Sequence, residues 1–146
     1  MSGWFDERAR RSAAVPPEKQ RLVREIKAAL AKSNNPIKDH FISLDTFERH
    51  AKKYGHFSGL PEIVVKLRAE LLRARGRLDE LDTGLRAERR LSAALTESAA
   101  GVAAWHAGLK SRNLREINAA LRSMERHFAK ARSLGKAGAA DLERGR

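Results

Sequence analysis

The sequence predicts an all-α protein: a small N-terminal helical head, then a long helix and a C-terminal helix that form either a hairpin or a dimeric coiled coil. Three observations carry this expectation. Leu60, Val64, Leu67, Leu71, Ala74, Leu78, Leu81 and Leu85 follow one another at alternating spacings of four and three, the 3.5-residue repeat of a helix that offers a narrow apolar seam. Leu114, Ile117, Leu121, Met124, Phe128 and Ala131 form a second such stripe. Charged residues make up 33% of the 146 and aromatics 5%, a balance weighted towards helix formers and away from strands.

Residues 1–16 hold Trp4 and Phe5 beside Arg8, Arg10 and Arg11 without a sustained period. They read as a flexible arm whose aromatic pair either folds back on the body or anchors a partner. Pro16 and Pro17 then stop one segment and start the next, since proline suits the first helical turn and Glu18 suits the positive end of the helix dipole. Leu22, Val23, Ile26, Ala29 and Leu30 mark one face of a helix over about 17–32, and Lys19, Arg21, Arg24, Lys27 and Lys32 occupy most of the rest. Ser33-Asn34-Asn35-Pro36 ends it.

Residues 37–44 read as a loop. Asp45 and Glu48 suit the start of a short helix over 46–54, which Gly55 would stop. His56 to Gly59 make a turn, and Pro61 opens the long helix. Short helix, glycine turn and second helix are the order of a helix-turn-helix, and Ala51 with Gly55 four positions later fits its crossing and turn. A plain helical hairpin fits the same residues. In a DNA-reading version, Lys38, Arg49, Lys52, Lys53, Lys66 and Arg68 would meet phosphates, contacts that position a protein without specifying a base sequence.

The seam from Leu60 is expected to continue to Leu95, a rod of roughly 50 Å. Asp82-Thr83-Gly84 could cap a new helix, but one glycine costs only about 1 kcal/mol among strong helix formers. The register slips at Glu88 and resumes through Leu91, Leu95, Ala99 and Val102, with Trp105 filling a gap between helices. Asn113 and Glu116 start the last helix, expected to end near Leu134 and Gly135. Residues 135–146 then read as a disordered tail. The domains expected are an arm over 1–16, a head over 17–68, a helical hairpin or coiled coil over 60–134, and the tail.

The layout over residues 17–85 resembles that of plasmid- and transposon-encoded accessory DNA-binding proteins, which set a helix-turn-helix head before an α-helical coiled coil. The residues that carry the likeness are the basic first helix, then SLDTFERHAKKYG, then LPEIVVKLRAELLRARGRL. What the resemblance implies is a head that contacts DNA through Lys52, Lys53, Lys66 and Arg68, and a coiled coil that dimerises.

Thirty basic residues against 18 acidic give a formal charge of +12, which points to nucleic acid, DNA before RNA, or to an acidic protein partner. The excess is +5 over residues 1–59, +2 over 60–110 and +5 over 111–146. On the last helix, Arg115, Arg122 and Arg126 lie off the apolar stripe and form a second phosphate-contact surface, or simply a solvated face. With no cysteine there is no disulfide, thiolate ligand or cysteine nucleophile. The five histidines keep no metal-ligand spacing, and no Gly-x-Ser-x-Gly elbow or phosphate-cradling loop occurs. No catalytic residues, metal or cofactor are expected, so the chain reads as a non-enzyme. No apolar run approaches the roughly 20 residues needed to span a bilayer. A cytoplasmic homodimer with no membrane association is the expectation, with an α-helical structural or adaptor protein as the alternative.

Overall fold

A computed structural model of the chain describes residues 15–31 and 60–146, with the backbone alone at 60–64 and at 109. The described residues form four α-helices and no strand: α1 (Pro17–Ala31), α2 (Leu60–Leu81), α3 (Arg86–Leu109) and α4 (Leu114–Glu143). The expected all-α class is the one found. The helix-turn-helix expected over 45–68 falls mostly on residues outside the described ones.

α1 begins at Pro17 as its proline pair predicts, and buries Val23, Ile26, Ala29 and Leu30. It packs on α2, α2 on α3, and α3 most extensively on α4. Leu71, Ala74, Leu78 and Leu85 of the leucine seam share one core with Leu91, Leu95, Val102, Trp105, Met124 and Phe128. Trp105 is fully buried, the packing role expected for it.

The unbroken rod from Leu60 to Leu95 is not formed. The chain breaks at residues 82–85, where Asp82 (φ 45°) and Gly84 (φ 73°) take the left-handed conformation that glycine adopts freely and aspartate tolerates. The break is held by side chains. Thr83 donates its backbone N–H and its hydroxyl to Glu88 Oε2 at 3.1 and 3.0 Å, and Leu85 N–H donates to Thr83 Oγ1 at 3.3 Å. Glu88 therefore sits in the first turn of α3, where a carboxylate faces the positive end of the helix. The slip of register at Glu88 is this boundary. α2 and α3 consequently fold as an antiparallel pair, tied by Ser92 Oγ to Asp79 Oδ1 at 2.7 Å.

Asn113 caps α4 as expected, its Oδ1 accepting from Arg115 N–H at 2.9 Å. Glu116 does not complete a reciprocal box; its carboxylate accepts from the Ser111 hydroxyl. The expected end near Leu134 and the disordered tail are both replaced by helix. α4 runs on to Glu143, with Gly135, Gly138, Asp141 and Leu142 buried. Gly138 is where Leu91 crosses, since a Cβ there would lie 2.7 Å from Leu91 Cδ2. Asp141 receives Arg86 at 3.0 and 3.2 Å and Arg90 at 2.8 Å, which clamps the last turns of α4 to the first of α3. Residues Gly145 and Arg146 close the same end: Val15 lies against Gly145, and Ala87 N–H donates to Arg146 O at 3.1 Å.

Candidate nucleic-acid interface

Three of the four arginines of α4 are placed by the residues opposite them. Met124, Phe128 and Ala131 are buried against α3, so the opposite line of the same helix faces solvent. Arg115, Arg122 and Arg126 lie on that line and are exposed. At 1.5 Å per residue, they are spaced by about 10 and 6 Å along the helix axis. Their exposed neighbours on the line are Asn118, Ala119, Ala129 and Ser133, small or neutral. The carboxylates of α4 are elsewhere: Glu116 holds Ser111, Asp141 is buried in its arginine clamp, and Glu125 and Glu143 fall off the line. Among the described residues, no ion pair involves any of the three arginines. They form a row of available cations.

Lys66 and Arg68 are also exposed, on the second and third turns of α2, and neither pairs with a described carboxylate. The antiparallel order of α2, α3 and α4 brings the start of α2 to the same end of the bundle as the start of α4. Lys66 and Arg68 do not join the α4 row, because they project from a different helix. Lys38, Arg49, Lys52 and Lys53 lie outside the described residues.

Two groups of cations add to those anticipated. Lys136, anticipated as part of a disordered tail, is exposed on α4 two to three turns beyond Arg126. On α1, Arg21, Arg24 and Lys27 are exposed, without an ion pair among the described residues, the two arginines opposite the buried Val23, Ile26 and Leu30 and Lys27 at the flank of that stripe. The signal for the α1 group was present in its sequence, in the same apolar period that exposes it. Lys130 is exposed but not free, since it pairs with Glu97 at 3.2 Å.

Glu97 also takes His127 Nδ1 at 2.7 Å. The His127 hydrogen bond holds the Glu97 carboxyl below its ordinary value of 4.5, against the opposing effect of partial burial and with help from Lys130. These contacts tie α3 to α4 and neutralise charge locally, so they belong to the framework and not to the row.

A cleft of about 510 Å³ opens beside α3, with the four carboxylates of Asp79, Asp82, Glu88 and Glu97 and the one cation of Arg89 in its wall. Its acidic lining is opposite in sign to the arginine row. Among the described residues, no group of three or more His, Asp or Glu side chains is arranged to hold a metal ion. No helix among them is long and apolar enough to cross a membrane.

Comparison with protein-family models, with curated proteins and with solved structures finds no match to the chain.

Proposed function

We propose that the chain is a non-enzymatic nucleic-acid-binding protein, DNA before RNA, that makes chiefly phosphate contacts and has an accessory or regulatory role of the bacterial or mobile-element type. The observation that carries this reading is the α4 row. Arg115, Arg122 and Arg126 are exposed and not paired with any described carboxylate, on a chain of formal charge +12. Arginine in such a row supplies forked donors to phosphate oxygens. Of the residues between them on the line, Ala119 offers nothing to a base edge and Asn118 alone could read one, which favours binding carried chiefly by phosphates. Lys66, Arg68 and the cations of the head, Lys38, Arg49, Lys52 and Lys53, extend the basic surface in this proposal.

Dimerisation through the leucine seam has less room than its period suggested. From Leu71 onward the seam is covered within one chain, so a homodimer would use other surfaces.

The test is a mobility-shift titration of duplex DNA and duplex RNA at several salt concentrations, with molecular mass measured in parallel. Binding should weaken steeply as salt rises. Replacing Arg115, Arg122 and Arg126 by glutamine should lower the slope of log K against log salt by roughly 0.9 for each phosphate that the variant no longer neutralises. Absence of binding at low salt, or binding indifferent to salt, would overturn the proposal.

A second reading, an adaptor that binds an acidic protein partner, is favoured by one observation. Val65 and Leu114 are large apolar side chains left 54% and 71% exposed, and single apolar side chains rimmed by cations suit a protein contact. Loss of partner binding on Leu114→Ser, with no affinity for nucleic acid, would favour it.

A further inference from the structure

We propose that the molecule carries two separate phosphate-binding faces, one on α1 and one on α4, and that a single chain can therefore bridge two nucleic-acid duplexes. The inference rests on the nucleic-acid reading above and adds an activity to it.

Arg21, Arg24 and Lys27 of α1 and Arg115, Arg122 and Arg126 of α4 are all exposed, and none is in an ion pair among the described residues. On α1 the only carboxylates are Glu18 and Glu25, which leave the helix net positive. Each row stands away from its own helix's buried stripe: Arg21 and Arg24 opposite Val23, Ile26 and Leu30 in α1, with Lys27 at the flank of that stripe, and the three arginines opposite Met124, Phe128 and Ala131 in α4. Both stripes turn towards the bundle, so both rows turn away from it.

The packing order separates them. α1 lies on α2 and α4 lies on α3, while α1 and α4 are not packed along one another. The residues just outside these helices do meet, Val15 against Gly145. In this proposal a duplex laid along the α4 row leaves the α1 row, carried on a different helix, free to take a second. A polyanion is the occupant that charge complementarity selects for that second row, and phosphate contacts need no particular base sequence.

Capture of a second duplex tests this. Full-length protein is loaded at low salt on a bead-bound duplex of about 40 base pairs, excess protein is removed, and retention of a second, fluorescent duplex is read. Three proteins are compared: wild type, Arg21→Gln/Arg24→Gln/Lys27→Gln, and Arg115→Gln/Arg122→Gln/Arg126→Gln. All six positions are on the surface, so circular dichroism should be unchanged. The wild type should retain the second duplex. The α1 variant should still load on the first while its capture of the second falls about tenfold, as expected when a purely electrostatic contact is removed. The α4 variant should show the same pattern.

If the wild type loads on the beads but captures nothing, bridging is wrong and the nucleic-acid reading stands. If the α1 variant captures as well as the wild type, the second face is not on α1, and paired copies of the α4 row account for capture. If the wild type does not load at all, the nucleic-acid reading fails with the inference.

Discussion

Asp141 holds two arginines with one carboxylate, and it does so almost fully buried, 3% exposed, near the end of a helix that turn chemistry would have stopped at Leu134. A carboxylate that deep is costly unless paired, and the forked contact of Arg86 with a third bond from Arg90 supplies the pairing. Both arginines are themselves about 40% in solvent. That screening keeps the expected cost of Asp141→Asn to about 2 kcal/mol, measured by urea unfolding at neutral pH. The acid limb of the stability curve gives an independent check. The Arg86 hydrogen bonds, joined by the charges of Arg86 and Arg90 and opposed by burial, hold the Asp141 carboxyl below its ordinary value of 3.8. A carboxyl with a lowered folded-state value contributes stability that is fully present above its unfolded value and lost as pH falls through the folded one. Stability should therefore decline below about pH 4. Asp141→Asn should decline less steeply than the wild type over that window, retaining the part owed to Glu97, whose carboxyl is lowered in the same sense. Equal acid limbs in the two proteins would show that the clamp does not form.

At the scale of whole helices, glycine makes the most telling contrast, because the same residue does opposite things in α2 and α3. A Cβ on Gly76 of α2 would meet nothing within 4 Å, whereas one on Gly101 of α3 would fall 2.5 Å from Phe128 Cε1. Gly76→Ala should raise stability by about 0.5–1 kcal/mol through helix propensity alone. Gly101→Ala should lower it by about 1–3 kcal/mol, because Phe128 is 1% exposed and has no room to yield. Thermal melts of the two variants beside the wild type decide the matter, and a Gly101→Ala protein as stable as the wild type would rule out the close α3–α4 crossing. The same residues explain what could be read from the sequence. Local signals were legible: the proline start of α1, the Asn113 cap, the leucine seam and the arginine row opposite an apolar stripe. Gly101 lowers helix propensity where it stands, yet its lack of a side chain is what lets Phe128 sit against α3. Gly135 had the look of a helix stop for the same reason, and is buried in mid-helix instead. Neither fact is local. The partner of Asp141 is 55 residues away at Arg86, a separation that no window of periodicity or capping covers. The break at residue 82 was undervalued because a glycine's intrinsic cost is small. Its force comes from Thr83 and Glu88 acting together and from the second seam that α3 can then lay against α2.

For the molecule as a whole, the break turns one long seam into an antiparallel pair and the helical extension of α4 closes the bundle at the end where α3 begins. The apolar surface that would have called for a second chain is thereby covered from Leu71 onward by the chain itself, and the outward faces are left to charge. Much of this closure runs through residues 135–146. They supply Gly138 beneath Leu91, the Asp141 clamp, the buried Leu142, the main-chain oxygen that receives Ala87 N–H, and the Gly145 surface on which Val15 rests. Through Val15, whose carbonyl accepts from Gln20 at 2.8 Å, the start of α1 depends on them as well. Ending the chain after Leu134 should thus cost at least about 3 kcal/mol, combining a broken buried ion pair with lost apolar burial. It should also loosen α1, although α1 lies at the far end of the sequence. Urea unfolding followed by circular dichroism measures the first effect, and hydrogen exchange at the amides of Val23 and Ile26 measures the second. A truncated protein with wild-type stability and unchanged exchange in α1 is the outcome a disordered tail would give, and it would return this segment to the status its small residues first suggested.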